Sequence, residues 1–391
     1  MRRIWTGLLV AGVLAQGVMA AERARYLVQL KPGAEAAVLA QSKGMGGELA
    51  LQLPEQHALA LWLPAAAATA LARNPNVLWV EPDAKRYASV ETLPYGIPMV
   101  QAPQLSDGMA GEVLVCIIDS GYSGNHPDLP HGAQVQGSDN VGTGSWSSDE
   151  NGHGTHVAGT IAAIGGNDMG VVGVLPNQSV PLQIIKVFGA NGWAYTSNLV
   201  GALNACKQGM SNRGFTRMVI NMSLGGSVPS KTEEQAFNQA YSQNVLSVAA
   251  AGNAGNTSKS YPASYSSVVS VAAIDGSKQL AYFSQRNDQV ELAAPGVAVL
   301  STVPSGYASY SGTSMATPHV VGVATLAWSQ RLECSNDQLR QTLRSSAQDL
   351  GAVGRDNSYG YGLVQARVAA DRLALGCGSG TGSSGKPGGR K

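Results

Sequence analysis

Charge is scarce in this sequence. Only 13% of its 391 residues are Asp, Glu, Lys or Arg, and 26 basic residues stand against 25 acidic ones. Phosphate binding needs a basic surface, so this balance excludes nucleic acid as the principal partner. Cysteine is scarce too. The four are Cys116, Cys206, Cys334 and Cys377, with no Cys-x-x-Cys pair, too few for a disulfide scaffold and not spaced as a cysteine-built metal site. Aromatic residues make up only 6%. No apolar run has the roughly 20 residues that span a bilayer. What is present is a 44% apolar content, enough for a sizeable core and against wholesale disorder. Glycine is abundant, 48 of 391, so many tight turns and close backbone approaches are expected.

The chain reads as four stretches. Arg2 and Arg3, the apolar run at 8–15 and the small residues Val18-Met19-Ala20 have the form of a secretory signal. Residues 1–20 are therefore expected to be removed on export, into a compartment that permits disulfides. Residues 21–88 carry their own pattern. Residues 25–31 and 57–63 alternate like strands, 34–42 and 66–73 are helical, and 77–80 is strand-like. This predicts a small β-α-β-α-β unit whose last strand stops at Glu81-Pro82-Asp83, since proline cannot donate to a ladder. Residues 84–95 read as a linker. From about 113 the texture changes to apolar strands (113–118, 183–187, 217–221, 245–249 and 268–272) alternating with helices (153–164, 198–208, 314–330 and 336–346). Strands apolar on both faces imply a parallel sheet covered by helices on both sides, an α/β domain over 89–375. The Gly/Ser-rich tail, 376–391, reads as a flexible end.

Four segments carry candidate chemistry. In Ile117-Ile118-Asp119-Ser120-Gly121 an Asp closes a buried strand, where functional groups of open parallel sheets sit. Alone it is weak evidence, since an Asp there is more often a helix or turn cap. In Asn151-Gly152-His153-Gly154-Thr155-His156 a histidine is flanked by glycines. His153 and His156, three apart, could be read as a metal pair, but the His-Glu-x-x-His pattern and a third ligand are missing. His156 reads better as a structural, hydrogen-bonded histidine. In Ser311-Gly312-Thr313-Ser314-Met315-Ala316-Thr317-Pro318 a serine opens a long helix, with Pro318 placed in its first turn. The unpaired amides of a helix start suit an oxyanion. Ala249-Ala250-Ala251-Gly252-Asn253 is a strand ending in an Asn that alone reads as a turn residue, but beside an activated serine its amide can donate to that oxyanion.

Taken together, these segments resemble the subtilisin-type serine endopeptidases, the subtilase family, over about residues 94–372. The order Asp119, His153, Ser314 is the order the family uses. Residues 25–88, with Val80-Glu81-Pro82-Asp83 near their end, resemble the family's inhibitor-like propeptide. The resemblance implies a subtilisin-like parallel sheet with helices on both faces, preceded by a small α+β ferredoxin-like propeptide domain. It implies Ser314 as nucleophile, His153 as base and then acid, Asp119 as its orienting partner, and Asn253 with the Ser314 N–H as oxyanion donors. Ser223, Leu224 and Gly225 on one edge and Gly192, Trp193 and Ala194 on the other would bind an extended peptide. Leu224, Gly225, Ala250, Ala251 and Gly252 would wall an uncharged first specificity pocket of apolar or broad preference. Asp128, in His126-Pro127-Asp128-Leu129, matches a calcium-binding segment, and the loop at 164–174, with one extra glycine, would add Asn167 and backbone carbonyls.

The expectation is thus a secreted, monomeric zymogen, extracellular or periplasmic, with structural calcium and no organic cofactor. Its own propeptide would be the intramolecular inhibitor, and self-cleavage would fall between residues 84 and 93. A lipase-like esterase is disfavoured, because Ser314 lacks the Gly-x-Ser-x-Gly elbow. A dead subtilase fold used as a binding module is disfavoured by four intact chemical positions. Cys334 and Cys377 flank the last helices and are expected to clip the C-terminus. Cys116 and Cys206 are either bridged or small buried hydrophobes.

Overall fold

The computed structural model describes residues 23–84, 91–139 and 142–377. The signal segment at 1–20, residues 85–90 of the linker and the tail beyond Cys377 lie outside the described residues. The chain divides into two compact units, Met1–Ala88 and Ser89–Lys391.

The first unit contains β1 (Arg23–Leu30), α1 (Glu35–Gly44), β2 (Glu48–Leu53), β3 (Ala58–Pro64), α2 (Ala65–Leu71) and β4 (Val77–Pro82). They form an antiparallel sheet in the order β2-β3-β1-β4. Alternation along β1 and β3 sends Val28, Leu30, Leu59, Leu61 and Leu63 to one face, where Val38 and Leu71 of the helices meet them. The element order is β-α-β-β-α-β, one strand more than the sequence reading. The extra strand, β2, is a short sheet edge with half of its residues exposed, so its apolar pattern is weak. Pro82 is tolerated because β4 is the opposite edge.

The second unit opens with α3 (Gly96–Met99), followed by β5 (Leu114–Asp119), β6 (Val135–Asp139), α4 (His153–Ala162), β7 (Leu182–Lys186), α5 (Thr196–Asn212), β8 (Met218–Met222), α6 (Lys231–Ser242) and β9 (Val245–Ala250). It continues through β10 (Val268–Ile274), β11 (Val290–Pro295), the hairpin β12 (Val299–Val303) and β13 (Gly306–Tyr310), α7 (Thr313–Ser329), α8 (Asn336–Ser346) and α9 (Ala366–Ala374). Seven strands pair in parallel in the order β11-β10-β9-β8-β5-β7-β6. Each face of the sheet has its own core. Along β5, Val115 and Ile117 pack with α4 and α7, while Leu114, Cys116 and Ile118 pack with α5 and α6. That two-sided burial is why these strands read as unbroken apolar runs.

Two disulfides tie the unit together. Cys334–Cys377 closes the C-terminal helices, as expected, and Cys116–Cys206 joins β5 to α5, settling the open alternative as a bridge. The second bond anchors the strand that ends in Asp119.

Candidate active site

Asp119 ends β5 and is fully buried. His153 begins α4, and its Nδ1 lies 2.7 Å from Asp119 Oδ1, which also accepts the Ser120 N–H at 2.8 Å. A carboxylate cannot donate, so Nδ1 carries the proton and Nε2 is left as the basic nitrogen. Burial pushes the His153 pKa down. The adjacent Asp119 charge, its hydrogen bond and the further charge of Asp149 outweigh it and hold the imidazole above its ordinary value.

Asp149 is a residue that reading the sequence overlooked. Its buried carboxylate accepts four hydrogen bonds. The Ser120 hydroxyl (2.8 Å) and the Gly152 N–H (2.9 Å) meet Oδ1, and the Thr155 N–H (2.8 Å) and hydroxyl (2.6 Å) meet Oδ2. Ser120 in turn accepts the Gly154 N–H at 2.9 Å. The strand end bearing Asp119 and the helix start bearing His153 are therefore laced together through one anion. Gly121, at φ +124°, lets the chain pass this close, since a Cβ there would stand 2.2 Å from the Ser148 carbonyl oxygen.

Ser314 is the second residue of α7, where backbone N–H groups have no helical acceptor. Its hydroxyl donates to the Ser223 carbonyl at 3.2 Å, so in this structure it is turned toward the end of β8 and is not bonded to His153. Turning about the Ser314 Cα–Cβ bond redirects it. Pro318 lies in the second turn of α7, not the first. Having no N–H, it leaves the Ser314 carbonyl without its i+4 donor, and the Ser223 hydroxyl takes that carbonyl at 2.7 Å. The proline thus frees an acceptor that ties the helix start to the end of β8.

The Asn253 amide is oriented by Thr313. Its Oδ1 accepts both the Thr313 N–H and the Thr313 hydroxyl at 2.8 Å, which leaves Nδ2 as a donor in the pocket that Ser314 also lines. Gly252, at φ +110°, makes the turn out of β9, where any Cβ would fall 1.7 Å from Gln285 Oε1. Asn253, Ser314, Leu224, Gly225, Ala250 and Gly252 share this cavity of about 410 Å³. Ala251 does not. It is 1% exposed and packs into the core under the sheet, its N–H donating to Val271, because alternation along the strand end turns it opposite to Ala250. Lys259 at the rim adds a charge the sequence reading did not place there, ion-paired with Asp288 at 3.1 Å.

A second cavity of about 410 Å³ holds Asp119 and His153 together with Ser223, Leu224 and Gly225 on one side and Gly192, Trp193 and Ala194 on the other. Ser223–Gly225 follows β8, and Gly192–Ala194 is irregular chain before α5. Both leave backbone groups outside the sheet. His156, the other histidine of the pair, lies apart from this chemistry. Its Nε2 sits 3.0 Å from the Val299 carbonyl and 3.1 Å from that of Ala308, its ring stacks on Tyr310 at 4.4 Å, and burial pushes its pKa down to about 4.

Asp128 and Asn167 do meet, but as acceptor and donor. Asn167 Nδ2 donates to Asp128 Oδ1 at 2.7 Å, and its own oxygen takes the Met169 N–H. Asp128 Oδ2 accepts the Val171 N–H at 2.9 Å. Asp128 is fully buried with no Lys or Arg paired to it, and burial raises its pKa. Glu91 braces the same loop by accepting the Gly166 and Asn167 N–H groups. Asp128 and Glu91 thus both hold this loop by accepting its N–H groups, and the Tyr307 hydroxyl adds a further hydrogen bond to Asp128. Among the described residues no three acidic, His or Cys side chains converge, so calcium here would rely on carbonyl oxygens, and Asn167 would serve only with its amide turned over.

Known proteins resemble this chain over most of its length. The family described as the subtilase family matches residues 110–362. The chain is 41% identical over 349 residues to an alkaline protease of Alkalihalobacillus alcalophilus, covering 88% of this chain and 87% of that protein. It is 37% identical over 396 residues to subtilisin E of Bacillus subtilis, covering 94% and 99%. Among solved structures it is similar to the psychrophilic subtilisin-like protease Apa1 from the Antarctic psychrotroph Pseudoalteromonas sp. AS-11. The TM-score there is 0.69 at 34% identity, over 74% of this chain and 99% of that one.

Proposed function

The chain belongs to the subtilase family and is a serine endopeptidase, and we propose that it cuts peptide bonds through Ser314, His153 and Asp119. The observation that carries the assignment is the pairing of a buried Asp119 with His153 Nδ1 at 2.7 Å on the rim of the cleft. Ser314 and a pre-oriented Asn253 amide line the cavity that continues from it. With a peptide bound, the Ser314 hydroxyl leaves the Ser223 carbonyl and gives its proton to His153 Nε2 as its oxygen attacks the scissile carbonyl. The oxyanion is held by Asn253 Nδ2 and the Ser314 N–H. His153 then protonates the leaving amine. Asp119 stays ionised throughout, fixing the tautomer and stabilising the imidazolium. Water repeats the sequence on the acyl-enzyme.

The unit spanning residues 21–88 acts as a removable inhibitor of the catalytic domain, and the signal at 1–20 sends the zymogen out of the cell. No helix among the described residues is long and apolar enough to cross a membrane. Asp128, Glu91 and loop carbonyls hold a structural calcium that neutralises the buried carboxylate. The test of the central reading is labelling by a fluorophosphonate together with casein hydrolysis. Wild type is expected to be labelled and to digest casein. Ser314→Ala is expected to do neither and to accumulate as an uncut precursor. Labelling that survives in Ser314→Ala overturns the assignment.

A further inference from the structure

The cavity beside His153 has a carboxylate that the proposed chemistry does not use. Glu233 is 3% exposed and lines this cavity together with the exposed aromatic pair Trp193 and Tyr195, whose rings meet edge to face at 5.1 Å. It is the third residue of α6, where a glutamate commonly reaches back to cap the helix. Here it does not. The Ser230 N–H that such a glutamate would accept donates instead to the Tyr265 hydroxyl at 2.8 Å. Glu233 Oε2 accepts the Tyr265 hydroxyl at 2.6 Å. Oε1 accepts no hydrogen bond from the described residues, and it is not among the polar atoms shut away from solvent. A buried glutamate freed from capping, with one oxygen open to a cleft, is a costly arrangement unless something cationic meets it.

The walls agree. Leu199, Leu224 and Tyr261 offer apolar surface for a methylene stem, and no Lys or Arg lines the cavity. Asp119 and His153, which also line it, are already paired with each other. Burial raises the Glu233 carboxyl above its ordinary pKa, and only the Tyr265 hydrogen bond opposes this. A bound cation would act in the same sense as that bond.

We propose that this cavity selects a lysine or arginine side chain of the substrate, two to four residues before the cleaved bond, with Glu233 as its counter-ion. The adjoining first specificity pocket, which shares Leu224 and Gly225 with this cavity and adds Ala250, Gly252 and Ser314, carries no acidic group. The substrate class that follows is peptides with an apolar residue at the bond and a basic residue upstream. This rests on the reading of the cleft as a peptide-binding site.

The experiment uses quenched peptides identical except for Lys, Arg, norleucine or Glu at the second, third or fourth position before the bond. At one position wild type is expected to favour Lys or Arg over norleucine by about tenfold or more in kcat/KM, the scale of a charge-assisted contact. In Glu233→Gln that ratio is expected to fall toward one, and in Glu233→Leu to invert, with fluorophosphonate labelling reporting that the site is intact. A wild-type ratio near one at all three positions overturns the proposal, as does a ratio that survives Glu233→Gln. The wild-type arm decides even if both variants fail to fold. If casein is digested but the ratio is one, only this inference falls. If wild type is neither labelled nor active on casein, the endopeptidase reading falls and takes this one with it.

Discussion

Replacing Asp149 by asparagine separates the two jobs that its carboxylate performs. Structurally, each oxygen accepts one backbone N–H and one hydroxyl. An asparagine keeps one oxygen and presents an NH2 in place of the other. The hydroxyl on that side can turn to accept, but the backbone N–H, of Gly152 or of Thr155, is left facing a donor. One orphaned buried N–H costs about 1–3 kcal/mol, and the loss of charge weakens the two surviving bonds. A destabilisation of roughly 2–4 kcal/mol follows, read by urea unfolding in a Ser314→Ala background so that self-digestion does not intrude. Electrostatically, the Asp149 charge helps to raise the His153 pKa. Catalysis needs the neutral imidazole, so the acid limb of kcat/KM marks that pKa. Removing a negative charge lowers it, and the limb moves to lower pH. A merely structural residue would lower activity without moving the limb. An acid limb unmoved, or moved upward, in a folded Asp149→Asn enzyme refutes the reasoning.

Asn253→Ala is expected to lower kcat by about 10²–10³ with little change in KM, a range the subtilisin oxyanion donor itself defines. Thr313→Val, which removes only the hydroxyl that orients Asn253, is expected to give a smaller loss in the same parameter, and equal KM effects in both variants count against an oxyanion role. Replacing Cys116 and Cys206 together by alanine opens a crosslink spanning 90 residues; a stability loss of about 4.5 kcal/mol is expected from loop closure, and an unchanged denaturation midpoint contradicts it. Burial lowers the pKa of both His156 and His319 to about 4. The unfolded chain therefore binds protons first, so stability is complete above about pH 6.5 and falls as pH drops toward 4, by up to roughly 3 kcal/mol per histidine; a decline that begins only below pH 5 assigns the effect to carboxylates instead. Excess chelator is expected to lower the melting temperature more than the activity at low temperature, and an unchanged melting curve removes calcium from Asp128.

How much of this was legible in the sequence depended on where each residue's partners lie. Strands β5 and β7–β10 and the helices α4, α5, α7 and α8 show themselves because burial leaves uninterrupted apolar runs, whereas β11, equally buried, is hidden by Glu291 and Pro295 within it. By contrast, β6, the hairpin β12–β13 and α6 are short or half-exposed, so their patterns sink into the surrounding loops. Asp119, His153, Ser314 and Asn253 stand out by local strings of small residues. Asp149 and Glu233 do not, because what makes each unusual is a contact made at a distance. One accepts Ser120, 29 residues earlier, and the other accepts Tyr265, 32 residues later. Ala251 failed for the opposite reason. Its neighbours on both sides line the cavity, but alternation turns it inward.

The surroundings of Ser314 are built from three elements for the same reason. A serine at a helix start gains unpaired N–H groups for an oxyanion, but a helix start alone is loosely held. Here Pro318 gives up a helical bond, and the Ser223 hydroxyl takes the vacated Ser314 carbonyl. Asn221 Nδ2 donates to that same hydroxyl from within β8 at 3.1 Å. Thr313 meanwhile locks Asn253. The start of α7 is thereby fixed to β8 and to the chain leaving β9, two adjacent strands of one sheet. Asp119 ends β5, which pairs with β8 on its other side. Ser314 and Asp119 are thus anchored to neighbouring strands of one parallel sheet, and the spacing of β8 and β5 fixes the separation of the two segments.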